Sequence, residues 1–505
     1  MGLFTGRGGG DVSKVAARYI ELDNSTCEIY VGIEKMLSAD NPDIEPDFTV
    51  TREILDRLPG FNNPRYHQDD LNALTLIEKQ GRNPEVASRE VSALETLAKT
   101  DPDIRVAPVI GLRDGKIYMP DLGSNTLHSI VYNKGGSIES LIQIFADAIF
   151  QRADIFAAFE QGLSDDDKAF WQTYQVDKIV ASCEKNGLAA TRDEIEACPH
   201  AYKFAAAFGV EDSSFITALD QVFGKTMRDL LPGLGVWTSD NYLKNKVVGD
   251  NQETWSFDFD NMGFKLVNED DDLFLGGMFN AHRHFEGAEK KMFFQAFQQL
   301  ATLNYQLLGI DPGSEEYRQG RAVTAIYRQA FETIYTAKEA VKIAKNATIP
   351  VDYYEHTNNQ REGRVNYMNM NHKAETDIKE SESAYRQFRA AIDELVELDP
   401  SLEEDLKLID DTVLRSVLRN YLEYTGVQKV SQQLFQTNLV RREEGVEPET
   451  ILLTITEADV AEYREHYLAG KPYVPDLQTE TRVQDRNPSS AAGVDPEPGV
   501  SADSA

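Results

Sequence analysis

Between residues 48 and 119, short apolar runs alternate with one helical repeat. Leu74-Thr75-Leu76-Ile77 predicts a strand, and residues 84–99 predict a helix with Ala87, Val91, Leu94 and Ala98 on one face. Residues 106–110 and 116–119 predict two further strands joined by the turn Arg113-Asp114-Gly115. A strand, a helix and a hairpin of this size make a small mixed α+β lobe. Residues 1–47 resist placement beyond a short helix or strand near 27–37.

After Pro120 the apolar positions recur with the period of a helix. Residues 138–161, 166–185, 192–208 and 214–230 predict helices, and the pattern returns over 287–308, 315–346, 374–398, 402–434 and 457–468. One hairpin interrupts it: Val247-Val248, the turn Gly249-Asp250-Asn251, then Thr254-Trp255-Ser256-Phe257. Beyond Lys471, Pro, Ser, Gly and Asp predict a disordered tail. The fold class is therefore α+β. The chain divides into an unassigned segment 1–47, a small lobe 48–119, a helical lobe 120–310 carrying the hairpin, a helical extension 311–470 and a tail 471–505.

Charge narrows the class of partner. The 505 residues hold 84 acidic and 51 basic side chains, a formal net charge of −33. The tail from Lys471 carries three basic and six acidic residues, so the acidity belongs to the folded body. Such a field disfavours nucleic acid and anionic membranes as partners. Cys27, Cys183 and Cys198 make neither a disulfide framework nor a zinc spacing. No apolar run approaches the ~18 residues of a membrane span. The Gly-rich start lacks the apolar core of a signal peptide. The expectation is a soluble protein of the reducing cytoplasm.

Candidate chemistry lies at the predicted hairpin. Trp237-Thr238-Ser239-Asp240-Asn241-Tyr242-Leu243-Lys244-Asn245 is followed by Phe257-Asp258-Phe259-Asp260. Moving a γ-phosphoryl group needs one carboxylate to orient and deprotonate an alcohol. It also needs an amide and a second carboxylate to hold Mg²⁺ on the phosphates. Asp240 fits the first task; Asn245 and Asp258, brought together at the open end of the hairpin, fit the second. Hard oxygen ligands of this kind suit Mg²⁺. Upstream, Gly60 in the turn-rich loop Pro59-Gly60-Phe61-Asn62-Asn63-Pro64 lets backbone N–H groups approach phosphates. Lys79 ends a strand, and Glu90, eleven residues on, is placed to pair with it. Tyr118-Met119-Pro120-Asp121-Leu122-Gly123 reads as a connector whose backbone can meet an adenine edge, with Leu76, Val106 and Met119 as apolar cover.

These residues together resemble the aminoglycoside phosphotransferase and choline kinase-like superfamily. The resemblance rests on Gly60-x-x-Asn63-x-x-Tyr66, Lys79, Glu90, the Met119-Pro120-Asp121-Leu122-Gly123 connector, Asp240-x4-Asn245 and Asp258-Phe259-Asp260, and covers roughly residues 48–273. It implies a two-lobed protein-kinase-like fold, with a small mixed lobe and a mostly helical C-terminal lobe, that moves the γ-phosphate of ATP to a small-molecule alcohol acceptor. By the same resemblance Asp240 is the catalytic base, Asn245 and Asp258 bind Mg²⁺, and Lys79 binds phosphate. Gly60, Asn63, Glu90, Met119 and Asp121 complete the nucleotide site.

Two positions depart from the family pattern: Thr238 stands where a loop-supporting His is usual, and Pro59-Gly60 where two glycines are common. A catalytically silent, kinase-like nucleotide-binding or protein-interaction module is the alternative. About 120 residues separate the connector from Asp240 and no Ala-Pro-Glu follows Asp258, which favours a small alcohol over a protein substrate. The helical extension completes the substrate lobe, forms a homodimer or binds a protein partner; these alternatives stay open. Asp258-Phe259-Asp260 also matches the D-x-D of a glycosyltransferase, which would need a preceding run of parallel strands that the pattern lacks. His282 and His284 lack a third ligand and read as helix-cap or pocket-lining residues, and Asp270 to Leu273 as a helix cap.

Overall fold

The computed structural model describes residues 12–22, 25–32, 45–56, 73–133, 136–224, 232–249, 251–350, 360–471, 473 and 477–483. The chain separates into two compact units, one of residues 1–175 and 231–318, the other chiefly of residues 176–230 and 319–503. Residues 176–230 thus group with the C-terminal helices, where the linear division expected them in the lobe 120–310. Helix packing, which a linear reading cannot see, draws them there.

The first unit opens with six antiparallel strands: β1 (Val12–Glu21), β2 (Thr26–Val31), β3 (Phe48–Thr51), β4 (Ala73–Gln80), β5 (Gly111–Arg113) and β6 (Lys116–Pro120). Their spatial order is β3-β2-β1-β4-β6-β5. The segment 1–47, unassigned from the sequence, therefore supplies two strands. β1 pairs with β4 from Val12↔Lys79 to Arg18↔Ala73. Alternation sends Ala17, Tyr19, Cys27, Ile29, Val50 and Leu76 into one small core with Ile110 and Tyr118. Lys79, an odd number of positions from Leu76, takes the opposite face. The strand expected over 106–110 reduces to an isolated parallel bridge between Val106 and Ser256, and pairing begins only at Gly111.

Helix α1 (Pro84–Thr100) follows β4 directly. Asn83 caps it by accepting a hydrogen bond from Val86 N, and Pro84 fills the first turn, where no N–H is needed. Its buried face is Val86, Ala87, Glu90, Ala93, Leu94 and Leu97. That stripe is rotated from the expected one, so Val91 and Ala98 are only half-buried. The rotation places a carboxylate, Glu90, among buried positions.

The rest of the unit is built on α2 (Ile138–Gly162), α3 (Val267–Phe279) and α4 (Gly287–Leu307). Phe145, Ile149, Phe274, Met278, Phe293 and Leu300 form their shared core, and Leu243 inserts into it. Two short ladders lie between α2 and α3. β7 (Gly235–Thr238) pairs with β10 (Gly263–Leu266), and β8 (Lys246–Val248) pairs with β9 (Thr254–Ser256).

The second unit packs the long helices α5 (Glu315–Ala347), α6 (Gln360–Leu398) and α7 (Glu403–Glu443) with Pro199–Phe208 and Ser213–Leu219. Phe204, Phe215, Phe331, Phe388 and Leu418 lie in its core. β11 (Glu449–Thr454) pairs antiparallel with β12 (Gln478–Val483). The tail expected to be disordered from residue 471 therefore contributes a strand. Among the described residues no helix is long and apolar enough to cross a membrane.

The join between β4 and α1 leaves no room for a side chain. A Cβ on Gly81 would lie 2.6 Å from Ala87 Cβ and 3.1 and 3.2 Å from the carbonyl oxygens of Gly115 and Asn83. Gly81→Ala should therefore destabilise the protein by about 1–3 kcal/mol, read as a lower denaturant midpoint. An unchanged midpoint would mean that α1 moves away from β4 without cost.

Candidate active site

Lys79 lies at the end of β4 with its side chain almost wholly buried. Its Nζ sits 2.8 and 2.9 Å from the two carboxylate oxygens of Glu90 on α1 and 2.6 Å from Asp258 Oδ1. Burial works against the ammonium, but the charges of Glu90, Asp258 and Asp260 outweigh it and hold the lysine pKa above its ordinary value. Burial pushes the Glu90 carboxyl up, and Lys79 opposes that push. Phe259 N donates to Glu90 Oε1 at 2.9 Å, tying the Asp258-Phe259-Asp260 segment to the same helix. Asp258 itself holds a left-handed backbone, φ 70°. Such a conformation in a residue other than glycine costs on the order of 1–3 kcal/mol and persists only where its surroundings fix it.

The hairpin places Asn245 across from the residue that precedes Asp258. The register Lys246↔Ser256 sets Asn245 opposite Phe257, one residue before Asp258, and Phe257 N donates to Asn245 O at 3.1 Å. Asn245 Nδ2 donates to the backbone oxygen of Asp240 at 3.0 Å, which leaves its Oδ1 as the atom able to accept or ligate. Leu243, buried in the helical core, anchors the loop between them.

Both oxygens of the Asp240 carboxylate are held. Asn261 Nδ2 donates to Oδ2 at 2.7 Å and Lys265 Nζ to Oδ1 at 2.9 Å. Neither donor belongs to the motif that marks Asp240 in the sequence. The signal for Lys265 lies in β10, Gly263-Phe264-Lys265-Leu266: Phe264 is 52% exposed while the charged Lys265 turns inward. An apolar-out, charged-in strand is the reverse of ordinary patterning.

Asp260 is strongly perturbed as well. Burial, reinforced by Asp258, pushes its pKa up to about 7. Its Oδ2 lies 3.4 Å from Arg82 Nε, yet it is buried without a hydrogen bond. Behind the loop, Arg152 on α2 is fully buried, with Nε 2.6 Å from Asp270 Oδ2 and Nη1 2.7 Å from Asp271 Oδ1. Asp270 Oδ2 also accepts from Asn241 Nδ2 at 3.0 Å, so the pair braces the loop. Asp270 and Asp271 thus neutralise a buried arginine instead of capping a helix. Lys246, buried and donating to Ser256 Oγ at 3.0 Å, has its pKa lowered by burial to about 8. Arg152, Thr238, Asp240, Asn241, Asn245 and Lys246 line one pocket.

The other expected residues divide. Met119 is buried and pairs with Ile77 across the β4–β6 ladder. Asp121 N donates to Thr75 O at 3.0 Å, while its carboxylate is engaged by Lys14 and by Gly123 N. Gly60 and Asn63 lie outside the described residues. His282 and His284 bond the carbonyls of Phe279 and Val131 through ring nitrogens at 2.8 and 2.6 Å. Among the described residues no three His, Cys, Asp or Glu side chains are grouped to hold a metal ion.

No family model matches the chain, and no curated protein matches it by sequence. Among solved structures it is similar to the ADP-bound aminoglycoside phosphotransferase APH(2'')-Ib, at 8% identity over 73% of this chain and 95% of that one, with a TM-score of 0.30. It is also similar to an aminoglycoside phosphotransferase from Alicyclobacillus acidocaldarius, at 12% identity over 66% and 88%, with a TM-score of 0.25. Superpositions this loose carry no weight for activity or ligand.

The Asp260 shift has a sign in stability. A carboxyl whose folded pKa lies near 7, above the 3.8 of a free one, favours the fold below that lower value. The contribution is lost as pH rises through 7. In metal-free buffer, the melting temperature of Asp260→Asn minus that of wild type should therefore grow between about pH 4 and pH 7. A difference that stays constant across the window would show that Asp260 ionises normally.

Proposed function

We propose that the chain is a phosphotransferase that moves the γ-phosphate of ATP, with Mg²⁺, to the hydroxyl of a small-molecule acceptor. The observation that carries this reading is a continuous run of contacts. Glu90 holds Lys79, Lys79 holds Asp258, and Asn261 from the same short segment holds Asp240. A surface hairpin with incidental carboxylates has no reason to bury a lysine between two of them. The six-stranded sheet with α1 is read as a kinase-like nucleotide-binding lobe, and the loop and hairpin as its catalytic half.

The residues present fit a divalent cation. Asn245 Oδ1 and the Asp258 carboxylate, 24% exposed, are hard oxygens from two residues. Mg²⁺ commonly binds through one or two protein oxygens, with phosphate and water completing its shell. Asp260 Oδ2, buried next to this pair, has no hydrogen-bond donor of its own. When bound, the ion would neutralise phosphate charge. Lys79 would pair with the α- and β-phosphates, with Glu90 fixing its direction. Asp240, its carboxylate fixed by two donors, would orient the acceptor hydroxyl and take its proton. The net charge of −33 favours a cationic acceptor such as an amino alcohol.

One observation favours the rival reading of a silent module: both Asp240 oxygens are already engaged. Two variants separate the readings. Asp240→Asn should lower turnover by about 10²–10⁴-fold, the usual worth of a general base, while ATP still raises the melting temperature. Asp258→Ala should remove the Mg²⁺-dependent part of that rise, which for nucleotide at a hundred times its Kd corresponds to about 2.7 kcal/mol. No rise in the wild-type protein at millimolar ATP and Mg²⁺ would end the proposal.

A further inference from the structure

Lys265 enters the chemistry set out so far only as one of two donors to Asp240, yet it makes the closest cationic contact to that carboxylate among the described residues. Its place follows from register. β10 pairs with β7 through Gly263↔Thr238 and Lys265↔Val236, so the face opposite the exposed Phe264 looks toward the loop that follows Thr238. Asn261 lies in the turn just before β10. The five-residue stretch 261–265 therefore anchors both oxygens of Asp240, one through an amide and one through an ammonium.

Two properties separate this pair from a packing salt bridge. The Lys265 and Asp240 side chains are 20% and 27% exposed, so neither is sealed from water. Arg152 and its carboxylates, which brace the same loop from behind, are almost wholly buried. The second property is charge. A bare carboxylate at the transfer point would repel an arriving triphosphate, and an ammonium 2.9 Å from it cancels that repulsion.

We propose that Lys265 is a positioning residue for phosphoryl transfer: with Asn261 it fixes the direction of the Asp240 carboxylate, and it offsets the charge of that carboxylate where the γ-phosphoryl of a nucleoside triphosphate arrives. The inference rests on the phosphotransferase reading. In the step itself the acceptor oxygen bonds to the γ-phosphorus as the bond from that phosphorus to the bridging oxygen breaks. The nucleoside diphosphate leaves with the electron pair, and the acceptor proton passes to Asp240. Lys265 forms no bond in this step and acts through Asp240. A carboxylate freed from one of its two anchors samples directions from which it cannot reach that proton.

The test uses the full chain and its Lys265→Met, Lys265→Arg and Asp240→Asn/Lys265→Met variants, assayed for ATP consumption with a panel of amino-alcohol and aminoglycoside acceptors. Lys265→Met should lower kcat by about a hundredfold, the usual effect of a misplaced reacting group, with a smaller rise in KM for ATP as the repulsion of the triphosphate returns and the melting temperature nearly unchanged. Lys265→Arg should restore at least tenfold of the loss. In the Asp240→Asn background, the methionine should cost nothing further. A kcat unchanged by Lys265→Met in an active wild-type enzyme overturns the inference and leaves the phosphotransferase reading standing. So does a loss that follows the melting temperature without rescue by arginine. A wild-type protein that consumes no ATP with any acceptor and is not stabilised by ATP and Mg²⁺ overturns both.

Discussion

A single buried charge organises the first unit. The Lys79 ammonium, taken out of water, would cost several kcal/mol if left alone. It is tolerable only because Glu90 and Asp258 reach it from two other parts of the chain. That requirement fixes the distance between β4 and α1, and it holds the Asp258-Phe259-Asp260 segment against both. It also accounts for the left-handed backbone at Asp258, whose side chain and following N–H are each tied down. Removing one carboxylate from such a pair typically costs about 3–5 kcal/mol, because the other charge is stranded.

The excess of acid is general, but cations gather where the phosphate chemistry is placed. Lys79, Arg82, Arg152, Lys246 and Lys265 each touch or neighbour the loop 239–245 or the segment 258–260. In a chain of net charge −33 this is the arrangement an anionic ligand would need. The cations are not interchangeable. Arg152 and Lys246 are fully or almost fully buried, whereas the Lys265 side chain keeps part of its surface in water.

Local signals were the legible ones. The strand ending at Lys79, the capped helix carrying Glu90, and the turn that aligns Asn245 with Asp258 each lie within a few residues of their own evidence. Long-range pairing was not legible. β1 reads as Ser, Lys, Arg and Glu between small apolar residues, and only its pairing with β4, some sixty residues on, makes it a strand. Val106 reads as a strand residue because it is apolar, but its bridge is to Ser256 in another part of the chain. Lys265 was hidden for a different reason. A lysine in a two-faced strand reads as solvent-facing, and here the phenylalanine beside it takes that side.

The β11–β12 ladder gives the far end of the chain a weight that its composition conceals. β11 is moored to α7 by Asn438, which donates to Glu449 O and accepts from Glu449 N, and its row of main-chain groups is completed by β12. A protein shortened at Lys471, the cut that a polar, proline-rich terminus invites, would lose that covering strand. The open edge, beside the exposed Leu452, is a template for another chain. What looks like dispensable trailing sequence is then the partner that satisfies the main-chain groups of β11, and its removal would leave them to water or to another chain.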